Sequence, residues 1–289
     1  MESTETVFPH APALVDREMA TAPGQFVSEV LWVCHRGLLK LLRNPMVLIF
    51  VLVMPLVWLG MFSQTFGTIF ARGANTNGVV PAYDYIAVLL PGVAVLTAIQ
   101  AASQSGFSMV SDIESGFMDK FFVAPIRRVS VLLGKLLADG LRMALQAAIV
   151  LGIAYAFSLA FGWRIPFATG LGGDALIVIL TALFGVAFSG LSTSMALFTK
   201  STEATMMVSF TLTFPLLFLS TAMVPLSLLP PWVQTFSKFN PVSYVADASR
   251  ALILSGYSWT EIGQAFLAIA IVGVLLNALA FYAFRSLNR

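Results

Sequence analysis

The chain has 289 residues, of which 58% are apolar and only 10% are charged, whereas soluble domains carry about a quarter charged residues. Its net charge of +2 gives no sign of a nucleic-acid partner. The single cysteine, Cys34, excludes an internal disulfide and a cysteine-based metal cluster. The mean hydropathy of +0.88 indicates a protein whose main solvent is a lipid bilayer.

Residues 1–24 are polar, contain proline and carry both acidic and basic side chains. This composition matches neither the charged-then-apolar order of a secretory signal nor the acid-poor composition of a transit peptide. We expect these residues to form a disordered cytoplasmic tail.

Residues 25–43 have the period of an amphipathic helix. One face of this helix is polar or basic and carries Gln25, Glu29, Arg36, Lys40 and Arg43. The other face is apolar and carries Val27, Leu31, Cys34, Leu38, Leu41 and Leu42. The pattern predicts a helix lying in the cytoplasmic membrane surface, with its basic residues near anionic headgroups. Such a helix can anchor the chain or relay motion.

Six apolar blocks are long enough to cross a bilayer, which requires roughly 20 helical residues. They cover residues 45–66, 85–110, 131–161, 174–199, 204–224 and 262–284. Residues 225–257 are moderately apolar but interrupted by prolines, and we expect short re-entrant helices there, before the last span. The predicted fold is an all-α membrane protein with six transmembrane helices and an N-terminal amphipathic interfacial helix, so residues 25–289 form one transmembrane domain.

The positions of Lys and Arg predict the orientation of the spans. With residue 1 in the cytoplasm, the inner segments hold Arg17, Arg36, Lys40, Arg43, Lys120, Arg127, Arg128, Lys135, Lys200, Arg285 and Arg289. The outer segments hold only Arg72, Arg164, Lys238 and Arg250. Because short cytoplasmic segments are enriched in basic residues, both termini are expected in the cytoplasm of a multi-pass cell-membrane protein.

Ionisable residues are rare inside the blocks. Asp139 and Arg142 lie three residues apart on the third block, with Lys135 one turn before Asp139. The three can share a helix face, and we expect ion pairs near the cytoplasmic end rather than a proton relay. Asp247 and Arg250, also three apart, are expected to form a surface pair rather than a substrate site.

Polar uncharged residues follow the second block at helical spacing, namely Gln100, Ser103, Gln104 and Ser108, with Phe107 among them. Such residues can join helices through hydrogen bonds or line a substrate path with a few polar contacts. Both roles are open, and the candidate path residues are Gln100, Ser103, Gln104 and Phe107.

Sequence signatures of an intramembrane enzyme are lacking: there is no His-Glu-x-x-His pair, no Gly-x-Ser-x-Gly elbow and no phosphate-binding Gly-x-x-x-x-Gly-Lys-Ser/Thr loop. No catalytic or metal-binding residue is predicted, and any ATP must be bound by another polypeptide. An ion-coupled carrier, the other alternative, usually keeps charged residues deep in its spans.

Two segments together resemble the ABC-2 type permeases, with the nearest likeness to daunorubicin-resistance-type and nodulation-type export permeases. Residues 111–135 read SDIESGFMDKFFVAPIRRVSVLLGK, which is similar to the family's first cytoplasmic loop. Residues 239–256 read FNPVSYVADASRALILSG and resemble its Asn-Pro-x-x-Tyr segment before the last span. The similarity covers essentially the whole chain after residue 25.

The resemblance implies a permease subunit that forms a dimer with a second copy or a paralogue and docks on an ATP-binding cassette subunit, which binds ATP and Mg. It assigns docking to a coupling helix at 116–122, and the residues carried over are Asp112, Glu114, Gly116, Phe117, Met118 and Phe121. Many relatives carry Glu-x-Glu around a basic residue, where this chain has Ile113 between Asp112 and Glu114. The resemblance also places the interfacial helix beside the ATP-binding subunit and the substrate path between the first, second and fifth spans.

The expected function is ATP-driven export of an amphipathic compound, such as a drug, a polyketide or a lipid, out of the cytoplasm or the inner leaflet. Phe, Met, Leu and Ser dominate the available wall residues, which suits an apolar cargo. Export of a lipid-linked polysaccharide is the alternative within the class.

Overall fold

The computed structural model describes residues 23–42, 53–65, 85–116, 128–161 and 165–286, and these segments contain helices and no strand. Residues 53–65 are helical and are termed α2. The other helices are α1 (Pro23–Leu42), α3 (Tyr85–Glu114), α4 (Arg128–Phe161), α5 (Gly170–Thr199), α6 (Thr202–Phe218), α7 (Pro231–Ser237), α8 (Pro241–Leu254) and α9 (Trp259–Ser286).

Four of these helices, α3, α4, α5 and α9, are long and apolar enough to cross a membrane. They coincide with the second, third, fourth and sixth predicted blocks, so the all-helical membrane fold is confirmed. Helix α6 is apolar but has only 17 residues. Part of the first block, 45–52, and residues 1–22 of the predicted tail lie outside the described residues, so the count of six spans stays a prediction.

Helix α3 is the centre of the bundle and contacts α4, α5, α6 and α8. Its residues from Val93 to Ala98 are small or β-branched for the most part, and all are buried. Helix α5 lies between α3 and α9, and a Cβ added at Gly190 would come within 2.7 Å of the Leu276 backbone. Small residues at helix interfaces in membranes let backbones approach closely, which explains this packing.

The chain leaves helical geometry earlier than the fifth predicted block suggests. Helix α6 ends at Phe218, whereas the block extends to 224, and residues 219–224 form a non-helical segment that is buried from 220 to 223. The Asn240 side-chain amide donates to the carbonyls of Leu216 (2.6 Å) and Leu219 (3.1 Å). These bonds satisfy carbonyls that the end of α6 leaves without helical partners. The oxygen of the same side chain accepts from the Val242 backbone and caps α8.

Arg250 corrects the prediction of a surface ion pair. The pair with Asp247 exists at 2.5 Å, but the Arg250 side chain is only 12% exposed. Its guanidinium also donates to the carbonyls of Thr221 (2.5 Å) and Val88 (3.3 Å). Because a guanidinium offers five donors in a fixed plane, one side chain bonds α8, the 219–224 segment and α3 together. Sequence spacing showed the pair but not these carbonyl partners.

The 219–224 segment packs closely against the start of α3. The Tyr85 hydroxyl donates to the Met223 carbonyl at 3.0 Å. Gly92, which follows the helix-internal Pro91, faces Ala222 so closely that an added Cβ would lie 1.9 Å from the Ala222 carbonyl oxygen. Gly92 is therefore required by this contact.

We expect Gly92→Ala to destabilise the protein by roughly 1–3 kcal/mol, the usual cost of overpacking, because the Ala222 backbone must move. The measurement is the apparent melting temperature of the purified chain in mild detergent. Gly152→Ala is the matched control, since a Cβ added at Gly152 would meet no atom within 4 Å. An equal melting temperature for the Gly92 variant and the wild type would contradict the assigned contact.

Candidate functional site

Helix α1 packs against the first turns of α4 through glycines. A Cβ added at Gly37 would lie 2.7 Å from the Ala138 side chain, and one added at Gly134 would lie 2.7 Å from the Val30 carbonyl. The helix predicted at 25–43 therefore packs against α4, so closely that residues larger than glycine would not fit at Gly37 and Gly134. This contact defines the α1 end of the bundle.

Part of the apolar side of α1 is buried against the protein, and part of it is exposed. Cys34 is buried, and burial raises the pKa of its thiol, so this cysteine serves packing. Val27, Leu31 and Trp32 are more than half exposed. Exposed apolar residues along one helix are typical of a helix that lies in a membrane surface.

Arg36 connects α1 to the end of α3. Its guanidinium lies 3.5 Å from the Asp112 carboxylate. Asp112 thus has a partner within the chain, whereas Glu114, the last residue of α3, is exposed. Gly116 follows in a left-handed conformation, with φ of 65°, and ends the described segment. Phe117, Met118 and Phe121 lie outside the described residues, so the contacts of the coupling helix stay a prediction.

A buried charge cluster lies just beyond the α1 contact on α4. The Asp139 carboxylate is 3.5 Å from the Lys135 ammonium and 3.0 Å from the Arg142 guanidinium. All three side chains are at most 15% exposed. The ion pairs predicted from the i, i+4 and i, i+3 spacing are therefore confirmed.

The charge cluster also binds α3. The Ser105 hydroxyl donates to Asp139 at 2.5 Å, and the Lys135 ammonium donates to the Ser105 carbonyl at 3.0 Å. Arg142 donates to the Ala101 carbonyl at 2.7 Å. Sequence reasoning missed Ser105, because a buried serine on a helix looks like any small packing residue until its partner is known.

Helix α5 extends the polar contacts on α3. The hydroxyls of Ser105 and Thr193 lie 3.4 Å apart, and the Ser192 hydroxyl donates to the Ser103 carbonyl at 3.0 Å. A Cβ added at Gly106 would come within 2.7 Å of the Ser192 carbonyl oxygen. The backbone of α3 from 101 to 106 is therefore held from two sides, by α4 and by α5.

The candidate path residues form a partly exposed strip beside the cluster. From residue 93 to residue 110, every position of α3 is buried except Gln100, Ser103, Gln104, Phe107 and Ser108. All five lie on one face at helical spacing. The structure brings the four predicted residues together on the surface of this chain, where they can meet a ligand or another chain.

These observations define a helical membrane protein whose buried polar side chains bond one helix to another. Residues 28–254 match the model of the ABC-2 type transporter family. Because the match covers more than half of the chain, the chain belongs to the ABC-2 type transporter family.

Curated relatives carry transport names. The daunorubicin resistance ABC transporter permease protein DrrB1 of Streptomyces coeruleorubidus is 28% identical over 290 residues, covering 100% of this chain and 97% of the relative. The putative transport permease ycf38 of Cyanophora paradoxa is 29% identical, with 81% and 77% covered. The probable doxorubicin resistance ABC transporter permease protein DrrC of Mycobacterium tuberculosis is 24% identical, with 80% and 79% covered.

We expect Asp139→Asn to destabilise the protein more than Lys135→Gln does. Loss of the carboxylate leaves two buried cations facing each other, and removal of one partner of a buried ion pair typically costs about 3–5 kcal/mol. Loss of Lys135 leaves Asp139 with Arg142. The measurement is the melting temperature of each variant in detergent. Equal shifts for the two variants would contradict the central place of Asp139.

Proposed function

We propose that the chain is the membrane-spanning subunit of an ATP-driven exporter of amphipathic, drug-like compounds. ATP and Mg are bound by a separate ATP-binding cassette subunit, and two permease chains, identical or paralogous, form the transport unit in the cell membrane. The family membership and the names of the drug-resistance relatives support this assignment.

The observation that carries the proposal is the continuous contact from α1 into the spans. Arg36 joins α1 to the end of α3, and Lys135, Asp139 and Arg142 join α4 to α3 about two to three turns deeper. The proposed docking segment, 116–122, leaves α3 directly after Asp112 and Glu114. A partner that pushes on this segment therefore acts on α3 itself, whose position is fixed to α1 and α4.

The chemistry of two exposed faces supports an apolar cargo with polar groups. The strip on α3 combines amides and hydroxyls with Phe107. On α6, residues four apart place Met206, Phe210, Phe214 and Phe218 on one face, and each is at least 40% exposed. Aromatic and methionine side chains adapt to varied apolar surfaces. We place the cargo path along these faces, at the interface of the two permease chains.

The charge cluster argues against an ion-coupled carrier. Among the described residues, Asp139 is the one buried carboxylate that such a carrier could use, but both of its oxygens already have partners in Arg142, Lys135 and Ser105. A coupling ion would have to displace two cations that belong to the chain. This arrangement suits a structural joint better than a reversible ion site.

We expect an ATP-binding subunit to co-purify with the chain from its native membrane, and Phe117→Glu with Phe121→Glu to abolish the association. Charges at these positions would prevent apolar anchors from entering a groove of the partner. The readout is mass-spectrometric identification of the partner after purification in mild detergent. Leu159→Glu is the control, because Leu159 is an exposed apolar residue in the last turn of α4 and belongs neither to the coupling segment nor to the proposed path. Failure of the wild-type chain to retain an ATP-binding protein would contradict the proposal.

Ser103→Trp should reduce export of a fluorescent anthracycline from cells by roughly tenfold while leaving co-purification of the ATP-binding subunit intact. An indole at this partly exposed site would fill the proposed path between the chains. Leu137→Trp is the control, since Leu137 is an exposed apolar residue on α4. Equal export by the two variants would contradict the proposal that the strip on α3 lines the cargo path.

A further inference from the structure

A cavity of about 530 Å³ lies at the end of the bundle opposite α1. It is lined by the turn after α6, by the end of α7, by α8 and by the start of α9, and it is open to the outside of the chain. Its charged lining residues are Lys238, Asp247, Arg250 and Glu261. The volume falls within the range of about 300–1,000 Å³ that is usual for small-molecule sites.

Two of these charged residues pair with each other, and the other two form no ion pair with the described residues. Arg250 and Asp247 bind each other at 2.5 Å, and Arg250 also holds the Thr221 carbonyl. The Glu261 carboxyl accepts a hydrogen bond from Ser258, but it forms no ion pair with the described residues, and its buried Oε2 atom has no hydrogen-bond partner among them. Lys238 is exposed and forms no ion pair with any other described residue. The cavity thus presents one acceptor and one cation to a ligand.

The surroundings of the cavity indicate its depth. Five aromatic side chains that flank the lining residues Lys238 and Glu261 in sequence are at least 49% exposed, namely Trp232, Phe236, Phe239, Tyr257 and Trp259. Tryptophan and tyrosine concentrate where membrane proteins cross the headgroup region. These aromatic residues support a position of the cavity at the level of lipid headgroups, in the leaflet opposite α1. Pro225, Leu226 and Leu254 add an apolar part to its lining.

We propose that this cavity binds the headgroup of a zwitterionic phospholipid that carries a primary amine, such as phosphatidylethanolamine. The ammonium donates to the Glu261 carboxylate, the phosphate pairs with Lys238, and the glycerol end of the acyl chains meets Pro225, Leu226 and Leu254. A primary ammonium suits Glu261 better than a choline group does, because choline has no N–H to donate to the carboxylate. The site is independent of cargo export and of the ATP-binding subunit.

Lipid competition on the purified full-length chain tests the site. Native mass spectrometry in detergent would measure retention from an equimolar mixture of phosphatidylethanolamine, phosphatidylcholine and phosphatidylglycerol with identical acyl chains. We expect the wild type to retain the ethanolamine lipid roughly tenfold over the other two, the factor that corresponds to about 1.4 kcal/mol. Glu261→Gln should bring the ethanolamine-to-choline ratio near one, and Lys238→Gln should lower retention of all three lipids.

Glu203→Gln is the matched control, because Glu203 also lies in the first turn of an apolar helix, α6, but does not line the cavity. This variant should keep the wild-type preference. Equal retention of the three lipids by the wild type would overturn the proposal, as would an equal loss of preference in the Glu203 and Glu261 variants. A melting temperature for each variant separates loss of the site from loss of the fold.

Discussion

Buried cations that donate to backbone carbonyls of α3 hold this bundle together at both ends. Arg142 and Lys135 donate to α3 near the α1 end, and Arg250 donates to the Val88 carbonyl near the opposite end. A bilayer core offers no water to an unpaired cation or carbonyl, so such contacts must be built inside the protein. Asp139 pairs with Lys135 and Arg142, and Asp247 pairs with Arg250. These carboxylates offset part of the cost of burying the cations.

The same constraint explains why the chain can break its helix inside the protein. Residues 219–224 are not helical and are buried from 220 to 223, which would leave several carbonyls unbonded in an apolar setting. Asn240 and Arg250, at the start of α8 and within it, and Tyr85 of α3 supply those bonds. The Asn-Pro-x-x-Tyr segment therefore matters less for its own conformation than for what Asn240 does to the end of α6.

Periodicity and charge spacing predicted the elements that depend on local sequence. The interfacial helix, predicted at 25–43, is found at Pro23–Leu42, and the Lys135, Asp139 and Arg142 pairs follow from positions on one helix. The end of α6 could not be predicted, because residues 219–224 continue an apolar block and their partners lie elsewhere in the chain. The burial of Arg250 was missed for the same reason: its carbonyl acceptors lie 29 and 162 residues away in sequence.

The anchored length of α3 bears on how movement can pass through the protein. Val88 and Ser105 carry the outermost of the cation-bonded carbonyls and are about 25 Å apart along the helix, at 1.5 Å per residue. A helix held near both ends moves as a rigid element, since bending it would break bonds that have no substitute in lipid. The exposed strip from Gln100 to Phe107 lies beside the anchors at the α1 end. Any displacement of α1 and α4 that shifts Asp139 therefore shifts the strip as well.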